Sequence, residues 1–172
     1  MAKGVLVGDK VIVEDEKEAN EIYNKGRYGE FVKGKLELSL TEALYLLDRG
    51  TLEIYDLKGK KLTFEKFVRK ASKLESRFWT RFSVYRDIRS RGYITKTALK
   101  YGADFRVYER GAEPGVEHAK WLIYCVNENE GFDWKQFAAM NRVAHSVRKK
   151  LVVGIVDAEG DVTFYEIGWI RP

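Results

Sequence analysis

The sequence holds a single cysteine, Cys125, so no disulfide framework can brace the chain from within. Its two prolines are Pro114 and the terminal Pro172, and no Pro/Ser-rich linker or low-complexity segment separates one part from another. No apolar run approaches the roughly 18–20 residues that a membrane-spanning helix requires. The start, Met1-Ala2-Lys3-Gly4, lacks the basic, apolar and small-residue succession of a secretory signal. A cytoplasmic protein with no membrane partner is therefore expected. No Rossmann or P-loop glycine pattern is present, which removes the commonest nucleotide-binding classes. Only two histidines occur, His118 and His145, so any imidazole chemistry rests on one of them.

With 172 residues, 45% hydrophobic and 13% aromatic, the chain has ample material for a core, in one ordinary domain or two small ones. One glutamine, one cysteine and two methionines beside 33% charged residues make a composition seen in hyperthermophile proteins. The net charge of +5 is modest but unevenly spread. Between Lys58 and Lys100 there are fourteen Lys/Arg against three Asp/Glu, while acids gather at Glu14–Glu21 and Asp157–Asp161. Clustered cations are what a polyanion-binding face needs. A solvated helix surface gives the same pattern. The interleaved Phe78, Trp79, Phe82 and Tyr85 do not separate the two readings, because they also fit a core stripe.

The first half reads as a small α+β unit. Val5–Val7 and Lys10–Val13 are strand candidates flanking the Gly8-Asp9 turn, and Leu36–Leu38 is another. Glu16–Tyr23 is a polar helical stretch. Ser39 and Glu42 form a capping box ahead of a helix over Leu40–Arg49 that Gly50 ends. Thr51–Leu57 reads as a strand, Lys58–Lys60 as a turn and Phe64–Ala71 as a helix. From Glu75 to Arg91 the apolar Phe78, Phe82, Tyr85 and Ile88 make one helical stripe, with Arg77, Arg81, Arg86 and Arg89 mostly off it.

The second half is β-rich, with strand candidates at Ile94–Leu99, Asp104–Glu109, Ala119–Val126, Leu151–Val156 and Val162–Ile167. Asp133 and Gln136 form a second capping box for one helix to about Ser146. Its predicted buried side is Phe137, Met140, Val143, Ala144 and Val147. The expected fold class is α+β: a small N-terminal α/β domain over residues 1–76, then a mixed β-sheet domain with a central helix over 77–172.

Three residue types stand near one another in this second half. Tyr108 closes a strand, a glycine-rich turn follows, and His118 opens the next β-like run, placing an imidazole near solvent where it can exchange protons near neutrality. Lys149 and Lys150 follow the helix and can supply fixed positive charge to a phosphorane. Each also has an ordinary reading, as a packing tyrosine, an incidental surface histidine and a pair of cations complementing a helix dipole. His145, within the helix, reads as incidental.

The whole arrangement is more specific than its parts. The runs R-S-R-G-Y-I-T-K-T-A-L-K-Y-G-A-D-F-R-V-Y, E-H-A-K-W-L-I-Y, N-R-V-A-H-S-V-R-K-K-L and I-V-D-A-E-G-D-V-T-F-Y together resemble the catalytic domain of the archaeal tRNA-intron splicing endonucleases. The ten-residue Tyr–His interval and the K-K-L before a strand match that family's Tyr–His–Lys constellation, and the chain is similar to its short subunit from end to end.

The resemblance implies a restriction-endonuclease-like catalytic domain that cuts precursor tRNA at both intron boundaries of a bulge–helix–bulge, without metal or cofactor, leaving 2′,3′-cyclic phosphate and 5′-hydroxyl ends. It implies Tyr108 as general base, His118 as general acid and Lys149 as the transition-state cation, with Lys150 second choice for the last role. A phenol serves as base only where cations favour its ionised form. The resemblance also implies Arg142 and Trp169 as RNA-binding residues that pinch an extruded base in a partner's active site. It further implies a homotetramer built through the C-terminal strand and the acidic loop Asn127–Asp133 (Glu128, Glu130, Asp133).

Two other classes compete. A structural subunit without activity would keep the fold and lose the triad. A metal-dependent DNA nuclease of the same fold would need a P-D…(D/E)-x-K carboxylate set, whereas Pro114 is followed by Gly115. A pure RNA-binding module would bind the same RNA without cutting it.

Overall fold

Alternation at Ala2–Val7 (β1) and Lys10–Val13 (β2) produces an antiparallel hairpin about Gly8, whose φ of 60° suits the turn. The computed structural model describes all residues, Met1–Pro172, which fold into two units, Met1–Phe82 and Ser83–Pro172. No helix is long and apolar enough to cross a membrane.

In the first unit the hairpin is followed by α1 (Glu16–Gly26), β3 (Glu30–Val32), β4 (Lys35–Ser39), α2 (Leu40–Asp48), β5 (Leu52–Tyr55), β6 (Lys61–Leu62) and α3 (Phe64–Leu74). The strands form one mixed sheet in the order β3-β4-β2-β1-β5-β6, with β1 and β5 parallel. Its core is Val11, Val13, Leu36, Leu38, Leu44, Leu52, Ile54 and Phe67, all buried. Ser39 and Glu42 form the expected capping box, and the buried Glu42 carboxylate also accepts from the Gly29 amide. β3 and β6 have no counterpart in the sequence reading. All three β3 residues are exposed, so pairing to β4 rather than burial defines that strand, and no alternation marks it.

Helix α4 (Phe78–Ser90) straddles the two units. It begins later than the apolar stripe suggested, because Glu75 is extended and Arg77 takes a left-handed φ of 59°. Phe78, Phe82, Tyr85 and Ile88 are buried as a stripe. The arginines divide. Arg81 and Arg89 are buried as well, Arg81 paired with Glu75 at 2.6 Å and Arg89 bonded to the Tyr85 hydroxyl at 3.0 Å. Part of the basic stretch is thus structural, since a buried cation must be paired.

The second unit continues with β7 (Ile94–Thr97), β8 (Phe105–Tyr108), β9 (Trp121–Asn127), α5 (Trp134–Ser146), β10 (Lys150–Val156) and β11 (Val162–Ile167). β7 is shorter than expected because Leu99–Tyr101 winds into a 3-10 turn. The sheet order is β11-β10-β9-β8-β7, with β9 and β10 parallel and the other pairs antiparallel. A parallel pair needs a crossover, and α5 supplies it. One sheet face, with Leu122, Tyr124 and Leu151, meets Ala144, Met140, Val143 and Val147 of α5. The other face meets α4: a Cβ on Gly154 would lie 3.3 Å from side-chain atoms of Val84 and Phe164, so a larger residue would have to push those side chains aside. The Asp133–Gln136 capping box is present. Phe137, half-buried like Met140, Val143 and Val147, is not part of the cluster with Leu122 and Leu151. It stacks on Phe132 (6.1 Å between centroids) and meets Trp134 edge-on at 5.7 Å.

Candidate active site

Tyr108 is the last residue of β8, opposite Ile94 of β7. It is buried at 5% exposure in a small cluster with Ile94, Ala112 and Ala119. Between β8 and β9 the chain makes a turn-rich excursion, with Gly111 and Gly115 at φ of 73° and 94°. The excursion closes when the Lys120 amide donates to the Val107 carbonyl at 2.8 Å. The two ends are also clamped outside by Lys120 and Glu109, whose charged groups lie 2.6 Å apart. Glu109 accepts a hydrogen bond from Lys120 and holds its ammonium above the usual lysine range. Both partners are exposed, so the pair orients the ends more than it stabilises them. His118 lies in the excursion just before β9, exposed, with Ala119 buried behind it against Tyr108.

Lys149 reaches the same place from another direction. After α5 ends, Arg148 takes a left-handed φ of 57° and the Lys149 amide bonds back to the Ala144 carbonyl at 2.9 Å. This sharp reversal leaves Lys149 immediately before β10. Its Nζ donates to the carbonyl oxygen of Ala119 at 2.9 Å. Lys150 begins β10 opposite Trp121, and its Nζ lies 3.9 Å from Glu166. Three chain segments thus meet at Ala119: Tyr108 packs on it, His118 precedes it and Lys149 bonds to it. A phenol, an imidazole and an ammonium so gathered can act on a phosphodiester as base, acid and charge stabiliser.

Arg142 and Trp169 are both associated with α5. Arg142 is exposed on α5, one turn before His145. Trp169 follows β11, and its indole Nε1 donates to Nδ1 of His145 at 2.9 Å.

Residues 78–164 match the family model for the tRNA intron endonuclease catalytic C-terminal domain, and residues 2–68 match that for the tRNA intron endonuclease N-terminal domain. The chain belongs to the tRNA intron endonuclease family. It is accordingly an enzyme, a tRNA-intron endonuclease by family. It is similar to proteins named tRNA-splicing endonuclease from several archaea. The identity is 46% to that of Thermococcus onnurineus (strain NA1), covering 96% of this chain and 95% of the relative. It is 42% to that of Nanoarchaeum equitans (strain Kin4-M), covering 98% and 99%. It is 40% to that of Methanothermobacter thermautotrophicus, covering 96% of each.

Two features of this tRNA intron endonuclease were not visible in its sequence. One is the pairing of His145 with Trp169, since nothing local joins residues 24 positions apart. The other is a cavity of about 250 Å³ on the α4 side of the sheet, where Arg110 lies over Tyr93 at 4.4 Å and Trp121 meets Tyr93 edge-on. Alternation along β8 turns Tyr108 to the opposite face from the cavity-lining Val107. As to metal, the carboxylates of Asp157, Glu159 and Asp161 lie within 4.8 Å of one another in the β10–β11 turn. The Asp157 carboxylate there accepts the Glu159 and Asp161 amides and so closes the turn. That turn is at the far end of β10 from Lys149, about 26 Å away at the rise of an extended strand.

Proposed function

We propose that this chain excises introns from precursor tRNA by cutting both splice sites of a bulge–helix–bulge, in a metal-independent transesterification. The observation that carries this reading is the meeting of Tyr108, His118 and Lys149 around Ala119. Tyr108, entering as the phenolate, takes the proton of the ribose 2′-hydroxyl, whose oxygen attacks the adjacent phosphorus. The bond from phosphorus to the 5′-oxygen breaks, and His118, entering protonated, gives that oxygen its proton. Lys149 offsets the charge that builds on the non-bridging oxygens. The products are a 2′,3′-cyclic phosphate and a 5′-hydroxyl; Tyr108 then gives up one proton to solvent and His118 takes one from it, which restores both groups.

Arg142 and Trp169 stack on an extruded bulge base in a partner's active site; guanidinium and indole faces both suit that task. The chain assembles as a homotetramer, a dimer of dimers. β11 is an edge strand and can pair with a second copy. The acidic loop Asn127–Asp133 docks on a basic surface of the other dimer. A groove in the first unit lined by Lys58, Lys70 and Lys73 with the exposed Leu57 and Leu74 has the complementary charge. In domain terms, residues 1–76 form the N-terminal domain and 77–172 the catalytic one, working in the cytoplasm.

The test is cleavage of a radiolabelled bulge–helix–bulge RNA in excess EDTA by the wild type and by His118→Ala. Two cuts with cyclic-phosphate ends, lost or strongly slowed in the variant, are expected. Cleavage that needs Mg²⁺ and ignores His118 would favour a carboxylate nuclease instead. Binding without cleavage would make the chain a structural subunit.

A further inference from the structure

We propose that His145 is a positioning residue for Trp169, holding the indole in the attitude from which it meets an unpaired RNA base. The inference rests on the reading of Trp169 as a base-stacking residue.

Trp169 stands in Gly168–Pro172, which has neither helix nor strand, and it is 49% exposed, so burial alone does not fix the ring. Two contacts hold it. Its Nε1–H donates to Nδ1 of His145 at 2.9 Å, with ring centroids 4.4 Å apart and planes 79° to each other. The guanidinium of Arg171 lies 5.4 Å from its centroid. Arg171 belongs to the same short segment and moves with it, so His145 is the anchor to the body of the domain.

That anchor belongs to a packed helix. His145 sits in the last turn of α5, beside Ala144, which is buried in the core with Leu122 and Leu151. An indole N–H can only donate, so its partner must present a lone pair. The bond therefore requires an unprotonated Nδ1 and assigns the ring proton of His145 to Nε2. A ring fixed before binding loses less conformational freedom when a base stacks on it, which strengthens binding without adding a contact to RNA.

The test uses a bulge–helix–bulge RNA with 2′-deoxy sugars at both cut positions, so that binding is read without cleavage. Protein labelled with 5-fluorotryptophan reports the ring itself, its Trp169 ¹⁹F resonance being assigned by loss in Trp169→Phe. His145→Leu is expected to shift or broaden that resonance and to weaken RNA binding roughly tenfold, the scale of one lost hydrogen bond. The loss falls on Kd more than on the single-turnover rate at saturating uncut RNA. His145→Asn, whose amide oxygen can take the place of Nδ1, restores most of both. If Trp169→Ala weakens binding while His145→Leu changes neither Kd nor the resonance, the positioning role is overturned and the stacking role stands. A weaker Kd with an unmoved resonance also overturns it, because His145 then acts apart from Trp169. If Trp169→Ala binds as well as the wild type, the stacking role itself fails and this inference with it.

Discussion

The ammonium of Lys149 donates to the carbonyl of Ala119, 2.9 Å away, although thirty residues separate them in sequence. The bond draws the start of β10 against the residue that follows His118. Lys150, one position on, lies instead near Glu166 at 3.9 Å. Replacing Lys149 by Ala is expected to slow cleavage by about 10²–10³, the usual cost of removing one oxyanion-stabilising group. Lys150→Ala should stay within a few-fold of wild type. Single-turnover rates at saturating RNA decide the matter, and the opposite ranking would transfer the role to Lys150.

Tyr108 has two separable contributions, a buried ring and a hydroxyl. In Tyr108→Phe the ring still fills the cluster with Ile94, Ala112 and Ala119. Thermal unfolding should therefore change little while cleavage falls by about 10²–10⁴. Tyr108→Ala should in addition lower stability by about 3–5 kcal/mol. Full activity in the Phe variant would remove the phenol from the mechanism.

Arg148 adopts a φ of 57°, the left-handed conformation that favours glycine, at the turn out of α5. Arg148→Gly should relieve about 1 kcal/mol of backbone strain. Urea denaturation should accordingly show a higher midpoint with an unchanged slope, and a lower midpoint would mean that the arginine side chain contributes more than the strain costs.

The proposed docking of the acidic loop is open to charge reversal. If the loop docks on the lysine groove, Lys70→Glu with Lys73→Glu places like charge opposite Glu128 and Glu130, and sedimentation velocity should find dimers in place of tetramers. Adding Glu130→Lys should recover part of the assembly. Tetramers that persist through the double reversal would place the loop elsewhere.

Glu53 accepts hydrogen bonds from Lys61, the larger influence, and from the Tyr55 hydroxyl, and its carboxyl is held below the ordinary value of 4.5. A carboxyl depressed by folding stabilises the native state above its unfolded value and loses that effect as pH falls through the folded one. Glu53→Gln should therefore lower the melting temperature slightly at pH 7, and the gap should close on acidification below about pH 4. A gap that widens at low pH would contradict this sign.

What the sequence disclosed was what near neighbours encode. Ser39–Glu42 and Asp133–Gln136 fixed two helix starts because capping is a three-residue event. The central strands of the second half were legible because their apolar runs reflect a sheet covered on both faces. β3 was hidden because all three of its residues are exposed, so no buried alternation marks it. The burial of Arg81 and Arg89 was hidden because a helical stripe says nothing of Glu75 waiting before it or of Tyr85 beneath. Of the candidate site, the residue types and their order were readable, whereas Ala119 as their meeting point was not. It follows from the excursion closing at Lys120 and from the turn after α5, two long-range facts.

The pairing of Lys150 with Trp121 in the parallel β9–β10 ladder has a bearing on safety in the cell. A slip of one residue would carry Lys149 about 3.3 Å along the strand and turn it to the other face. The groups proposed to react, Tyr108, His118 and Lys149, come from three separate stretches, and local structure alone does not bring them together. On the proposed mechanism a half-folded or nascent copy would therefore hold no complete site, and cutting power would appear only with the finished sheet.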